Sequence, residues 1–203
     1  MQPDGVIQPM QPVSFAEILD NRAYEQARPD FRAKVLAEKS RRRVAVGPNF
    51  NLLFENRLTV LYQVQEMMRI EGIADGKAIR HEMETYNELI PPQGGLSATL
   101  MIEIEGPETR ARELPRLLGI EKHVWLKVGD LPPVPAAFDT RQIGADRVSA
   151  VQYVRFTLPD PHRRLWSGLG HSGQIRLAID HPNYTWEAVI PPDTAAALAE
   201  DLK

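Results

Sequence analysis

The pattern of apolar residues changes its period once along the chain, at the segment from Pro91 to Gly95. Before this segment the apolar positions recur at helical spacing, and after it they alternate with polar positions. Helices followed by a run of strands indicate an α+β fold with an antiparallel sheet. We therefore predict a helical N-terminal half, with a long antiparallel helical hairpin, packed on a sheet of about five strands in the C-terminal half.

Helical signals predict four helices before the change of period. They are a short helix from Ser14 to about Asn21, one from after Pro29-Asp30 to Arg43, one from about Phe50 to Glu71, and one from about Ala74 to Ile90. Glu17 stands three residues after Ser14, which is the spacing of a capping box. The short Gly72–Ile73 connection makes the third and fourth helices the predicted hairpin.

Alternating apolar residues predict the strands of the second half. The predicted strands are Leu96–Glu105, Val124–Val128, Val148–Leu158, Ile175–Ile179 and Tyr184–Ile190, with helices from Pro107 to Gly119 and from Pro192 to Leu202 and a long loop at 129–147. We expect residues 1–13 to be a flexible leader and residues 14–203 to form a single domain. A division into 14–90 and 96–203 stays open.

Composition excludes more chemistry than it suggests. The 203 residues contain no cysteine, so they supply no thiolate for zinc, for an iron–sulfur cluster or for catalysis. Positive and negative charges are balanced, with 12 basic and 13 acidic side chains in residues 1–90 and 12 and 14 in residues 91–203. This balance disfavours nucleic-acid binding. Without a secretory signal or an apolar run long enough to span a bilayer, we expect a cytoplasmic protein that is not in a membrane.

Three histidines lie close together in the sequence, at His162, His171 and His181. Imidazole and carboxylate ligands can hold zinc or iron without sulfur, but no two of these histidines have the i, i+4 spacing that places both on one helix face. We therefore expect no metal and no other cofactor, and keep the three histidines as candidate ligands. If the chain is an enzyme, the candidate catalytic residues are Asp180, His181 and Glu82.

Polar residues on apolar helix faces predict a buried network. Arg57 and Gln65 point into the apolar half of the third predicted helix, and Glu82 lies between apolar residues of the fourth. Because a buried carboxylate must be paired, hydrogen-bonded or protonated, we expect these three side chains to meet between the two helices. The network fixes the register of the hairpin or forms part of a functional site, and both interpretations remain.

Two arginine clusters are candidate contacts for an anion or a protein partner. The first is Arg41, Arg42 and Arg43, which we place with Glu55 and Glu66 of the third predicted helix on one contact surface. The second is Arg163 and Arg164 beside Trp166, whose indole would be an interface anchor if it were exposed. Either cluster can instead be a solvated helix end without function.

Six strings in a fixed order resemble a known bacterial family, the domain of unknown function 3501. They are Arg42-Arg43-Val44-Ala45-Val46-Gly47, Phe54-Glu55-Asn56-Arg57-Leu58-Thr59-Val60, Gln63-Val64-Gln65-Glu66-Met67-Met68-Arg69-Ile70-Glu71, Tyr86-Asn87-Glu88-Leu89-Ile90-Pro91, Tyr153-Val154-Arg155-Phe156 and Ile179-Asp180-His181-Pro182-Asn183-Tyr184. The resemblance covers nearly the whole chain from about Ser14. None of the strings is a chemical motif.

The resemblance implies an association rather than a reaction. Members of the family occur beside a rubrerythrin-like protein and a heterodisulfide-reductase-like iron–sulfur protein, which suggests a part in oxidative-stress chemistry. With no cysteine in this chain, iron–sulfur centres would belong to partners. We therefore expect a non-catalytic accessory or interaction protein that works with such redox metalloproteins. The alternative is a sulfur-free metalloenzyme or small-molecule enzyme that uses His, Asp and Glu side chains.

Overall fold

The structure is a computed structural model that describes residues 11–170 and 172–202. Most of the expected leader, residues 1–10, lies outside this range, and so does His171. Within the described residues the fold is α+β, as predicted. The helices are α1 (Asn21–Ser40), α2 (Arg57–Glu71), α3 (Gly76–Asn87), α4 (Pro107–Arg116), α5 (Asp160–Leu169) and α6 (Pro192–Asp201).

Two antiparallel sheets, rather than one, form the β part of the described chain. The strands are β1 (Arg43–Val46), β2 (Phe50–Phe54), β3 (Gly95–Ile102), β4 (Val124–Val128), β5 (Val134–Pro135), β6 (Ala137–Phe138), β7 (Val151–Thr157), β8 (Ile175–His181) and β9 (Tyr184–Val189). One sheet has the order β1-β2-β3-β7-β6, and the other has the order β5-β4-β8-β9. Because β2 pairs with β3, residues from both sides of Pro91–Gly95 share the first sheet. Whether 14–203 is one domain stays a prediction.

The prediction of one helix from Phe50 to Glu71 is wrong for its first residues, which form strand β2. Phe50, Leu52 and Phe54 are buried on this strand, and α2 begins only after Asn56. The Asn56 side chain accepts a hydrogen bond from the backbone N–H of Thr59, which caps the helix. A short apolar run of this kind fits a helix face and a buried strand equally well, so only the cap marks the boundary.

The helix predicted after Pro29 begins earlier than the sequence suggested. It is α1, which is capped by Asp20 and contains Pro29 at an exposed position in its interior. It ends at Ser40, so the three arginines follow the helix and Arg43 opens β1. The capping box of Ser14 and Glu17 is confirmed, on a 3-10 helix at Phe15–Glu17.

The two sheets enclose one apolar core, to which α5 and α6 also contribute. Leu52 and Leu100 from the first sheet and Leu126 and Leu177 from the second are fully buried in one cluster with Trp166. A separate cluster of Val64, Met68, Ile79 and Met83 joins α2 to α3, which form the predicted hairpin. Gly72, with φ of +64°, ends α2 in the left-handed conformation that favours glycine. No helix in the described part of the chain is long and apolar enough to span a bilayer.

Candidate functional site

Arg42 is buried rather than part of an exposed arginine cluster, so the predicted contact surface is wrong at this residue. Its guanidinium forms two hydrogen bonds with the Asp201 carboxylate, at 2.6 and 3.1 Å, and a third with Glu38 at 2.5 Å. Burial raises the pKa of the Asp201 carboxyl, and the Arg42 charge partly offsets this rise. Arg41 is exposed and paired with Glu38, whereas Arg43 is exposed at the start of β1.

Glu55 and Glu66 do not form a free surface either. Glu55 is 1 % exposed, and its carboxylate accepts hydrogen bonds from the hydroxyls of Thr59 and Thr99. Glu66 is bound by Arg28 at 2.7 Å and by the Tyr24 hydroxyl at 2.7 Å. The hydrogen bond from Arg28, helped by the one from Tyr24, lowers the pKa of Glu66 to about 2. Both acids therefore have structural partners within the chain.

The predicted network of Arg57, Gln65 and Glu82 does not form. Arg57 binds Glu17 at 2.6 Å, and Gln65 binds the backbone N–H and carbonyl oxygen of Leu19 at 2.7 and 3.1 Å. Glu82 is half-buried on α3 and forms no hydrogen bond with a described residue. Arg57 and Gln65 of α2 therefore bind the segment that precedes α1, and not Glu82 of α3 as predicted.

Trp166 is buried, so it is not the exposed interface anchor that was considered. Its indole is 1 % exposed and donates a hydrogen bond to the backbone oxygen of Ala195 at 2.9 Å, which joins α5 to α6. Arg163 pairs with Asp160 one turn earlier, and Arg164 is exposed on α5. These two arginines stay candidates for contact with an anion or a partner.

Of the histidine candidates, His162 and His181 are each held by contacts with the backbone. His162 is buried, and its Nε2 lies 2.8 Å from the backbone oxygen of Pro132. His181 is also buried, with Nε2 at 3.1 Å from the Leu118 oxygen and Nδ1 accepting from the backbone N–H of Asn183. Within residues 11–170 and 172–202, no three His, Asp or Glu side chains form a group that suits a metal ion.

Asp180 occupies a more informative position than His181, because it points to the outer face of the four-stranded sheet. Its carboxylate Oδ1 accepts a hydrogen bond from the Trp125 indole at 3.0 Å and lies 2.9 Å from Nδ1 of His123. The bond from Trp125, followed by the one from His123, lowers the pKa of Asp180. One exposed carboxylate therefore orients an indole and an imidazole. Glu82, the third catalytic candidate, is not part of this cluster.

A charged row continues this outer face next to the Trp125 cluster. Glu187 on β9 binds Lys127 on β4 at 2.5 Å and Arg176 on β8 at 3.0 Å. We call the outward side chains of this sheet the outer face; they are His123, Trp125, Lys127, Arg176, Ala178, Asp180, Thr185, Glu187 and Val189. Apart from Ala178, which is buried, all of these side chains are exposed or half-buried. The outer face is thus an uncovered sheet surface with an oriented tryptophan.

Sequence reasoning missed His123, Trp125 and Lys127. Their alternation with Val124, Leu126 and Val128 was visible, and it marks them as outward residues of one strand. The pairing of β4 with β8 was not visible, and this pairing brings Trp125 and His123 to Asp180. Long-range strand pairing is what assembles the surface.

The fold and the outer face define a class rather than an activity: an α+β protein with two sheets, of which the four-stranded one has an open face. A family model described as a protein of unknown function (DUF3501) matches residues 12–202. The chain therefore belongs to this family, as the resemblance had indicated. No curated protein matches the chain.

A solved structure has the same fold. It is a crystal structure of a novel protein of unknown function from Burkholderia pseudomallei K96243, with 37 % sequence identity and a TM-score of 0.86. The match covers 95 % of this chain and 100 % of that chain.

Proposed function

We propose that this protein is a non-catalytic accessory protein that binds a protein partner through its outer face. The observation that carries the proposal is the oriented indole of Trp125, which Asp180 holds at 3.0 Å on an uncovered sheet. Tryptophan and arginine are enriched among the residues that dominate binding energy at protein interfaces. An indole that is already fixed loses little side-chain freedom on binding, which favours association.

The charges around Trp125 support a protein rather than a nucleic acid as the partner. Lys127 and Arg176 are both paired with Glu187, so the outer face carries charges of both signs in alternation. Phosphate backbones select surfaces with a basic excess, which this face does not have. A polar protein surface with complementary charges fits it better.

We propose further that the partner is a redox metalloprotein of the rubrerythrin-like or iron–sulfur type, and that the pair acts in the cytoplasm in oxidative-stress chemistry. Two arguments support this proposal. The family resemblance implies an association with such proteins, and the 203 residues contain no cysteine with which to ligate a cluster themselves. Electron transfer would then take place in the partner, with this chain supplying contacts.

Native affinity purification of the full chain tests the proposal, with both co-purifying proteins and bound metal measured in one sample. We expect a rubrerythrin-like or iron–sulfur protein with wild type, and at least a tenfold lower yield with Trp125→Ala, because loss of an interface anchor costs about 2 kcal/mol or more. Leu36→Ala is the control, since Leu36 is 45 % exposed on α1 and is not part of the outer face.

Two results would contradict the proposal. One is recovery of the partner in equal yield with Trp125→Ala, and the other is the absence of any redox metalloprotein from the wild-type sample. Stoichiometric metal in the isolated chain that is lost on His181→Ala would instead support the metalloenzyme alternative.

A further inference from the structure

A cavity of about 540 Å³ lies between the end of α3, the segment at 137–141 and strand β7. This volume is in the range of small-molecule sites in proteins. Its inner wall is formed by buried residues, including Leu89, Ser97 and Val154. None of these residues contributes to the outer face, so an inference from the cavity is independent of the proposed function.

The cavity presents aromatic rings that carry free hydroxyl groups. Tyr86 and Tyr153 both line it and are half-buried, and neither hydroxyl is hydrogen-bonded to a described residue. Burial raises the pKa of both tyrosines, and for Tyr153 the nearby Glu55 charge adds to the rise. Both hydroxyls therefore stay protonated at neutral pH and can donate or accept a hydrogen bond.

Arg155 supplies an available positive charge to the cavity. It lies beside Ser97 in the register of β7 and β3, and its guanidinium is bound to the backbone oxygen of Glu88. Arg155 forms no ion pair with any described residue, whereas Arg141 pairs with both Glu88 and Asp139, at 2.5 and 2.8 Å. Arg141 is thus the ion-pair partner of both acids, the Arg155 charge also acts on Asp139, and Arg155 keeps donor groups for an incoming anion.

We propose that this cavity is a binding site for a small organic carboxylate with an aromatic or similar apolar body. The carboxylate pairs with the Arg155 guanidinium, and the body packs against the rings of Tyr86 and Tyr153 and the side chain of Leu89. A polar substituent on the body meets the free tyrosine hydroxyls. A monoanion fits better than a phosphate dianion, because Glu88 and Asp139 lie near the single available guanidinium and repel additional negative charge.

Isothermal titration of the full chain with 4-hydroxyphenylacetate tests the site, and the uncharged 4-hydroxyphenylacetamide is the matched probe. We expect the acid to bind, and the amide to bind at least tenfold more weakly, because it lacks the charge that pairs with arginine. Arg155→Gln should weaken binding of the acid by a similar factor. Arg112→Gln is the control, since Arg112 is an exposed arginine on α4 outside the cavity.

Arg155 is exposed, so its replacement leaves the core intact, and the melting temperature of each variant verifies this. Equal affinity of the acid and the amide would overturn the proposal. So would equal affinity of Arg155→Gln and wild type for the acid, or the absence of binding by the acid at millimolar concentration. Failure of partner capture would leave these results unchanged, so the two proposals are tested separately.

Discussion

Arg42 and Asp201 form a buried bidentate ion pair that joins positions 159 residues apart in the chain. Arg42 follows the end of α1, and Asp201 is the last residue of α6, so the pair connects the N-terminal helix to the C-terminal one. Both side chains are at most 4 % exposed. Glu38 binds both Arg42 and Arg41, so the cluster has two cations and two carboxylates.

Removal of the Arg42 charge should strongly destabilise the fold. We expect Arg42→Met to lower the free energy of unfolding by about 3–5 kcal/mol, because it leaves the Asp201 carboxylate buried without a partner. Arg43→Met is the control, since Arg43 is exposed one residue later, and it should change stability by less than about 0.5 kcal/mol. Urea denaturation measures both values, and equal losses would contradict the account.

Glu66 should make stability depend on pH in the acid range. Its pKa is about 2 in the folded protein against an ordinary value of 4.5. A carboxylate whose pKa is lowered by folding stabilises the folded state fully above the ordinary pKa. This contribution disappears as the pH falls from about 4.5 toward 2.

Glu66→Gln should therefore cost about 1.5–3 kcal/mol at pH 7, the range for hydrogen bonds to charged groups. The difference from wild type should shrink below pH 4.5, as measured by thermal unfolding across pH. Glu71→Gln, at an exposed position of the same helix, should show no such dependence. A difference for Glu66→Gln that stays constant from pH 7 to pH 3 would rule out the assigned pairing with Arg28.

Alanine substitutions at Gly47 and Gly72 distinguish the cost of backbone strain from the cost of steric crowding. Both have positive φ, at +71° and +64°. A Cβ at Gly47 would lie 2.5 Å from atoms of Tyr184 and Trp186, whereas a Cβ at Gly72 would have no neighbour within 4 Å. We expect Gly72→Ala to cost about 1–2 kcal/mol from its backbone conformation alone. Gly47→Ala should cost clearly more in the same denaturation experiment, and an equal cost would show that Trp186 moves aside freely.

Glu55 should be replaceable by another acceptor but not by an apolar residue. The hydroxyls of Thr59 and Thr99 both donate to its buried carboxylate. Glu55→Ala leaves both hydroxyls without this acceptor and should cost about 1–3 kcal/mol or more. Glu55→Gln keeps one carbonyl acceptor, so we expect a smaller loss. The order of the two unfolding midpoints checks this, and the reverse order would contradict the assigned hydrogen bonds.

Local patterns predicted a large part of the fold. Strand β4 and the hairpin of β8 and β9 were predicted because one side of each strand is apolar, and the capping box of Ser14 and Glu17 marked a helix start. Strand β2 was missed, because Phe50, Leu53 and Phe54 also fit the helical spacing of the apolar residues of α2. The burial of Arg42 was missed because its partner lies at the other end of the chain, where no local pattern reports it.

The outer face was only partly predictable for the same reason. Asp180 was singled out, but as a catalytic partner of the neighbouring His181, which is buried and bound to the backbone oxygen of Leu118. The contact of Asp180 with Trp125 depends on the register between β4 and β8. Adjacent residues of a strand face opposite ways, so the sequence neighbour was the wrong partner.

Photo-crosslinking from the outer face tests the proposed interface most directly. A photo-reactive amino acid replaces Val189, which is 47 % exposed on the outer face, or Leu36, which is 45 % exposed on α1. Irradiation in cells followed by mass spectrometry should give an adduct with a rubrerythrin-like or iron–sulfur protein from position 189 and none from position 36. Adducts with that protein from position 36 alone, or no such adduct from position 189, would contradict the assignment of the outer face as the partner interface.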